Sequence, residues 1–467
     1  MRINIQRSNL HGEIQCPPSK SYTHRAFVIS GLASGKSQLN NVLLSRDTRA
    51  TMNCCKLLGI EIYNGDPTTV KDHRANVIVN SKGGKSGFLT PTDVLPADNS
   101  GTTIRLLTSL CALVIQGYSV LTGDDSLRKR PMRDLIKSLN ELGVDCFSTN
   151  SSFFPPVIVK GGGIEGGKTQ INGRISSQFI SSLLLSGVYS KKGVTIEVLG
   201  KQVSKPYIES TIHIMRYFGV DIQNDVRDTL DEISEQSNMP ESESDTSIDN
   251  LVTESYTIPT NLSYKPREFS VPGDFSTAAL LISAAFLSKG QLTIKGLNFD
   301  MPQGDMEIID IIKSMGGHIS TDRIKGTATV DGNCSLSGGA FDLKKTPDLL
   351  PVLAVLSLVA KGTTRIEGIL HARFKETDRI SNIASQLAKF GATITEKNDS
   401  ITIQPPAKIK STVVESFKDH RLFMAFTIAG LATDKSIVDG AESVDVSYPH
   451  FVKDLKALGA NIEVLKI

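Results

Sequence analysis

Six times along this chain an apolar helical stretch ends on glycine and a short alternating run follows. The copies are KLLGIEI at 56–62, NELGVDCF at 140–147, RYFGVDI at 216–222, SMGGHI at 314–319, KFGATI at 389–394 and ALGANIEV at 457–464. Glycine just past a helix end tolerates the left-handed backbone that stops the helix, and alternation afterwards is the mark of a strand. Gly59, Gly143, Gly219, Gly316, Gly391 and Gly459 follow one another at intervals of 84, 76, 97, 75 and 68 residues. A second helix end precedes each of them by 24 to 29 residues, at Gly35, Gly117, Gly193, Gly290, Gly362 and the Asp434-Lys435 turn. Each repeat therefore holds two helices, each followed by a strand, and the chain is an α/β protein built from six such units.

Six units in 467 residues exceed what one hydrophobic core can hold, since single cores stop growing near ~250–300 residues. Two domains of three units each are expected. The run YKPREFSVPGDFSTAALLISAAF at 264–286 sets Pro266, Pro272 and Gly273 before a strong apolar helix, between the third and fourth units, and marks the crossover. The longest interval contains residues 224–255, which carry ten acids against one base, Arg227. With no aromatic residue before Tyr256 and no sustained periodicity, this segment is expected to be an acidic flexible insert. The rest of the chain then has 50 bases and 39 acids, so a net charge of +2 conceals a basic body suited to an anionic ligand.

The start, MRINIQRSNLHGEI, alternates like a strand, and no apolar run approaches the ~18–20 residues of a membrane span. Six cysteines (Cys16, Cys54, Cys55, Cys111, Cys146, Cys334) without Cys-x-x-Cys spacing, and eight scattered histidines, point to reduced core thiols and to no metal site. A cytoplasmic protein is expected. With no tryptophan, 6% aromatics and basic residues spread over many junctions, nucleic-acid binding is not expected.

Two phosphate motifs almost appear. GLASGKS at 31–37 is one residue short of a P-loop, and GGGIEGG at 161–167 is followed by KTQINGRISSQ, which does not open a helix. What recurs instead is a cluster of hydroxyls and cations at helix starts. Lys20, Ser21 and Arg25 open one helix, Asn99, Ser100, Gly101 and Thr102 precede another that carries Arg105, and Ser176, Ser177 and Gln178 open a third. Ser204, Lys205 and Tyr207 open a fourth, and Arg128 and Arg130 stand before Pro131, read as a first helical position. Any one of these alone would be an ordinary capped helix. Together they predict an anion cleft, because helix N-termini present free N–H groups and positive potential. Acid–base candidates follow in the second half: Asp348 at a helix start, the cluster Arg373, Lys375, Glu376, Asp378 and Arg379, and His420 with Arg421.

In order along the chain, PPSKSYTHRA, DNSGTTIR, RKRPM, ISSQF, VSKPYI, PGDFSTAA, MPQGD, TPD, RFKETDR and KDHR resemble the EPSP synthases, the 3-phosphoshikimate 1-carboxyvinyltransferases of the shikimate pathway. The resemblance runs from about residue 17 to the end, apart from the acidic insert. It implies a two-domain inside-out α/β barrel with three βαβαββ units per domain. The domains would be 1–18 plus 272–467, closed by the N-terminal strand, and 19–271. The implied reaction transfers the enolpyruvyl group of phosphoenolpyruvate to the 5-hydroxyl of shikimate 3-phosphate, leading to chorismate and aromatic amino acids. No cofactor is implied, and the partners are the two small substrates, met by a monomer whose domains close over them.

Carried over residue by residue, Lys20, Ser21, Arg25, Ser176, Ser177, Gln178, Ser204, Tyr207, Asp348, His371 and Lys375 resemble the shikimate 3-phosphate side. Lys20, Asn99, Gly101, Thr102, Arg130, Gln178, Glu376, Arg379 and Arg421 resemble the phosphoenolpyruvate side. The resemblance makes Lys20, Asp348, Glu376 and His420 the catalytic set, with Glu376 as proton donor and Asp348 as hydroxyl base. Lys20 can share either role, and the sequence leaves that split open. Gly101, bordering the phosphoenolpyruvate pocket, implies competition by glyphosate.

Two departures stand out. Val446, in VDVSYP, occupies a position where the family commonly has Lys, which implies weaker phosphoenolpyruvate binding or compensation by Lys418. His371 replaces an Asn two residues before Arg373. The related UDP-N-acetylglucosamine enolpyruvyl transferases would show Lys-Asn where this chain has Lys20-Ser21, and a cysteine-bearing loop. A catalytically silent anion-binding relative is the third reading.

Overall fold

The computed structural model describes residues 1–65, 74–200, 202–226 and 251–465. The strands fall into six four-stranded sheets, one per repeat, all with the same order. The second repeat shows the plan: strand Leu95–Pro96, helix Gly101–Cys111, strand Tyr118–Thr122, helix Arg133–Glu141, then the strands Cys146–Ser148 and Val157–Lys160. The first two strands pair in parallel, as a helical crossover requires, and the last two form an antiparallel pair whose final strand lies beside Tyr118–Thr122.

The chain divides into two compact units. One comprises Met1–Lys20, Arg74 and the chain from Pro272 onward, and the other runs from Ser21 to Val271. In the first, strand Arg2–Gln6 lies between Ser436–Asp439 and Asn461–Leu465 and completes the last repeat. Strand His11–Gln15 then pairs in parallel with Gln291–Lys295 and begins the fourth. In the second unit the parallel partner of Gly35–Leu43 is Glu268–Ser270, so its first repeat is completed from the far end of its sequence.

Helix Phe275–Ser288 is buried over its whole length except Ser276, and helices Leu350–Leu356 and His420–Gly430 pack against it and each other. A helix that is apolar all round must lie inside, and its sheet covers it. In the other unit Gly101–Cys111 packs on Ser177–Gly187, which packs on Lys205–Tyr217. Polar residues in these inner helices satisfy one another: Ser109 bonds the carbonyl and hydroxyl of Ser182 at 2.7 Å and Ser186 at 2.8 Å.

The acidic segment differs from expectation at both ends. Gln223–Val226 and Val252–Ile258 are strands of the third sheet, paired Asp225 to Ser255 and Val226 to Glu254. Their acids hid the alternation. Glu254 is buried and its charge is met by Lys205 at 3.0 Å. The part of the segment read as a flexible insert between these strands lies outside the described residues. Pro131 likewise does not open a helix: Arg130 ends a 3-10 turn, Leu127–Lys129, and helix Arg133–Glu141 starts after Met132. GLASGKS spans the end of helix Lys20–Leu32 and the start of strand Gly35–Leu43, and GGGIEGG joins strand Val157–Lys160 to Gly167–Asn172. No helix among the described residues is long and apolar enough to cross a membrane.

Candidate active site

In the first unit the inner helices begin close together, and their capping carboxylates organise the cluster. Asp274 caps helix Phe275–Ser288 through Thr277 N–H at 2.9 Å, and its other oxygen accepts the backbone N–H of Lys20 at 3.0 Å. The PGD and PSKS runs are thereby fastened to each other. Asp419 caps helix His420–Gly430 through the N–H groups of Arg421 at 2.9 Å and Leu422 at 3.3 Å. Asp378 caps helix Arg379–Lys389 through Ser381 N–H at 3.1 Å, which puts Arg379 at the first helical position.

Arg379 is 1% exposed and holds three carboxylates at once: Asp419 from Nε at 2.8 Å, Asp348 from Nη1 at 3.1 Å and Glu376 from Nη2 at 2.6 Å. Arg421 takes the other oxygen of Asp348 at 2.9 Å, and Lys375 lies 3.8 Å from it. Burial alone would raise the Asp348 pKa, but Arg421, Lys375, Arg379 and Lys20 outweigh it and hold the carboxyl well below the usual carboxylate range. Burial in turn works against the Arg379 guanidinium, yet Asp419, Glu376 and Asp348 raise its pKa above the ordinary arginine value.

His420 is fully buried beside this cluster with neither ring nitrogen hydrogen-bonded. Desolvation, reinforced by Lys20, holds its pKa well below 6.5, so the imidazole is neutral. His371 is driven down to about 4 by burial and Lys375. Arg373 is engaged elsewhere, with Asp378 at 2.7 Å and Glu396 at 2.9 Å.

The second unit assembles a different kind of site. Arg25, 1% exposed, donates to Thr211 Oγ1 at 2.7 Å, Ser21 Oγ at 2.5 Å, the carbonyls of Ser21 and Tyr207 at 3.0 Å, and Ser181 Oγ at 3.4 Å. Every one of these acceptors is neutral, and burial brings its pKa down to about 10. Ser21, Arg25 and Tyr207 are thus brought together.

A second group links Thr102, Arg105, Ser176 and Gln178. Gln178 Nε2 donates to Thr102 Oγ1 at 2.9 Å, and its Oε1 accepts from Arg105 at 2.7 Å. Ser176 caps helix Ser177–Gly187 through Gln178 N–H at 3.3 Å, next to the buried Ser177. Arg130 donates to Asn99 Oδ1 at 3.0 Å, and Asn99 donates in turn to Asp124 at 2.7 Å. Ser204 precedes helix Lys205–Tyr217 with φ +55°, a left-handed conformation costly for a residue with a β-carbon. Backbone strain of this kind is found where a side chain or an N–H must be aimed.

Residues 5–247 and 245–455 match the sequence model of EPSP synthase (3-phosphoshikimate 1-carboxyvinyltransferase). The chain belongs to the EPSP synthase family. It is 40% identical over 464 residues to the 3-phosphoshikimate 1-carboxyvinyltransferase of Methanosarcina mazei, covering 99% of both chains. To the enzyme of the same name from Methanocaldococcus jannaschii it is 39% identical over 456 residues, 97% of both chains. The structure of EPSP synthase from Acinetobacter baumannii superposes at a TM-score of 0.79 with 24% identity over the whole of both chains. The fold is therefore the two-domain inside-out α/β barrel of EPSP synthases.

Against the EPSP synthase pattern, Val446 is buried at the end of the 3-10 turn Ala441–Val446, while Lys418 is exposed and acts electrostatically on Glu442 of that turn. Sequence reasoning missed three members of these clusters and left Arg105, named in DNSGTTIR, without a partner. Asp419 and Asp274 stood unnamed in the quoted KDHR and PGD runs. Asp305 stood in MPQGD and is buried against the Asp348 cluster. Its run, DMPQGDMEIID at 300–310, holds three other acids, so nothing local singled it out. Among the described residues no group of three His, Cys, Asp or Glu could hold a metal ion.

Proposed function

We propose that this chain transfers the enolpyruvyl group of phosphoenolpyruvate to the 5-hydroxyl of shikimate 3-phosphate, releasing inorganic phosphate. The observation that carries the reading is Arg25, a buried guanidinium whose partners are all neutral. A cation taken out of water needs an anion; the Ser21 hydroxyl bonds Arg25 directly, and it is assigned to the phosphate oxygens together with the hydroxyls of Ser177, Ser204 and Tyr207. Shikimate 3-phosphate supplies that phosphate.

Phosphoenolpyruvate is assigned to Lys20, Asn99, Gly101, Thr102, Arg130, Gln178, Glu376, Arg379 and Arg421. Within the first cluster Arg379, Arg421 and Lys375 already face Asp348, Glu376 and Asp419, so an arriving carboxylate or phosphate has to share those guanidinium groups. When it takes Nη2 of Arg379, Glu376 loses its ion pair and becomes able to carry a proton.

The steps then balance as addition followed by elimination. A proton from Glu376, with Lys20 as the alternative donor, adds to the methylene carbon and leaves positive charge on the adjacent carbon. The 5-hydroxyl oxygen attacks there, and its proton passes to Asp348. Asp348 is a weak base, being held ionised by Arg421, Lys375 and Arg379, but the attacking hydroxyl, its oxygen now bonded to the cationic carbon, is a strong acid, so the transfer is downhill. Glu376, now a carboxylate, takes back a methyl proton, and Asp348 gives its proton to the departing phosphate, which restores the double bond and both side chains. Neutral His420 adds no charge to compete with these anions. The buried thiols Cys16, Cys54, Cys55, Cys111 and Cys146, with no disulfide among the described residues, suit a reducing cytoplasm.

The test is phosphate release by the purified protein with each substrate alone and with both. Release that requires both, and that falls by about 10²-fold or more in Glu376→Gln, is expected. No release with both substrates, while shikimate 3-phosphate still binds, would reject the transferase reading.

A further inference from the structure

Asp305 is a buried acid against the Asp348 cluster to which the mechanism gives no step. It is 2% exposed, at the start of the turn Gly304–Glu307. Gln303 pins this turn to the first inner helix, accepting from Phe275 N–H at 3.1 Å and donating to the Gly273 carbonyl at 2.9 Å. One carboxyl oxygen of Asp305 accepts the hydroxyl of Ser276, and the other, Oδ1, is buried without a hydrogen-bond partner.

The charged groups that face Asp305 are Asp348 from the turn Pro347–Leu349, Arg421 from helix His420–Gly430 and Asp274 at the cap of helix Phe275–Ser288. On its own turn, Glu307 is occupied by the Thr346 hydroxyl at 2.9 Å. Two of these groups are carboxylates, and the cation among them, Arg421, is already paired with Asp348 at 2.9 Å. A buried oxygen with no donor, beside two anions, is where a carboxyl keeps its proton.

We propose that Asp305 is a proton-carrying positioning residue for the reaction: protonated, it leaves Arg421 on Asp348 and available to phosphoenolpyruvate; ionised, it competes for Arg421. The proton it loses goes to solvent. Burial first, then Asp348, pushes its pKa up to about 7, with Arg421 and the Ser276 hydroxyl opposing, so the change of state falls within the working range.

This inference rests on the assignment of Arg421 to phosphoenolpyruvate, and its test separates the two. Steady-state kinetics between about pH 5 and pH 9 are compared for wild type, Asp305→Asn and Ser276→Ala, together with urea unfolding over the same range. Wild type is expected to lose kcat/KM for phosphoenolpyruvate above neutrality, approaching about tenfold per pH unit, with KM rising. Asp305→Asn, permanently neutral, loses that alkaline limb. In Ser276→Ala the limb moves to higher pH, because a donor to the ionised form is gone.

Unfolding reads the same proton without substrate. Folded Asp305 binds its proton more tightly than the unfolded chain, whose group titrates at 3.8. The Asp305 contribution to stability is therefore fully present below 3.8 and is lost as pH rises through about 7, so the stability of wild type relative to Asp305→Asn falls over that window. Coincident pH profiles for wild type and Asp305→Asn, or a folded Asp305→Asn inactive at every pH, would overturn the proposal. Should wild type release no phosphate at all, the transferase reading fails, and parallel unfolding curves would then separately reject the proton on Asp305.

Discussion

A β-carbon on Gly101 would stand 2.8 Å from Nη1 of Arg130, closer than packed carbons approach a nitrogen, and 3.7 Å from Nη1 of Arg105. The glycine is what lets the Arg130 guanidinium lie over the start of helix Gly101–Cys111 while bonding Asn99. Gly101→Ala is therefore expected to push Arg130 aside without unfolding the protein. KM for phosphoenolpyruvate should rise roughly tenfold, the worth of one charge-assisted hydrogen bond, with the melting temperature little changed. An unchanged KM would remove Arg130 from the phosphoenolpyruvate site.

Arg25 uses a planar fork on five neutral oxygens, and Lys has a single ammonium. Arg25→Lys keeps the charge but should weaken shikimate 3-phosphate by roughly 10–100-fold in titration calorimetry, with shikimate itself much less affected. Equal losses for both ligands would place the phosphate elsewhere.

Asp348 is shared by Arg379 at 3.1 Å and Arg421 at 2.9 Å. Asp348→Asn should lower kcat by about 10²–10⁴-fold while leaving shikimate 3-phosphate binding detectable. It also has a stability signature. The folded-state pKa of Asp348 lies well below 3.8, so its contribution is fully present above 3.8 and is lost as pH falls through the depressed value. In acid titrations the gap in stability between wild type and Asp348→Asn should close only below that ordinary value. A gap already closed near neutrality would contradict the ion pairs.

His371 has the opposite sense. Burial and Lys375 bring its pKa from 6.5 to about 4, so below 6.5 the unfolded chain takes a proton that the folded chain refuses. The His371 contribution to stability should be lost as pH drops from 6.5 to about 4 and flatten beneath. His371→Asn, which does not titrate, should reduce that fall in chemical denaturation, and an identical slope would show that His371 is not buried neutral.

The repeat was legible because its signals are local. Gly59, Gly143, Gly219, Gly316, Gly391 and Gly459 all have φ between +82° and +105°, each directly after a helix. Ser21 lies inside helix Lys20–Leu32, whereas the helix start at Ser176 was likewise visible. The partners of Arg379 were not, since Asp348 precedes it by 31 residues and Asp419 follows it by 40. The strands Gln223–Val226 and Val252–Ile258 were hidden for a related reason: Glu254 looks solvated in sequence, and only its neighbour Lys205 makes its burial tolerable.

By itself the sequence determined where the backbone turns, caps and alternates, and hence six repeats of two helices each followed by a strand, because those preferences act over a few residues. It also carried the runs that resemble the EPSP synthases. Only the tertiary structure decided which charges meet: that Arg25 has neutral partners alone, that Glu376 and Asp348 share one guanidinium, that His420 is neutral, and that Asp305 lies buried against Asp348. Protonation depends on desolvation and on charges within a few ångströms, and those neighbours come from repeats far apart in the chain.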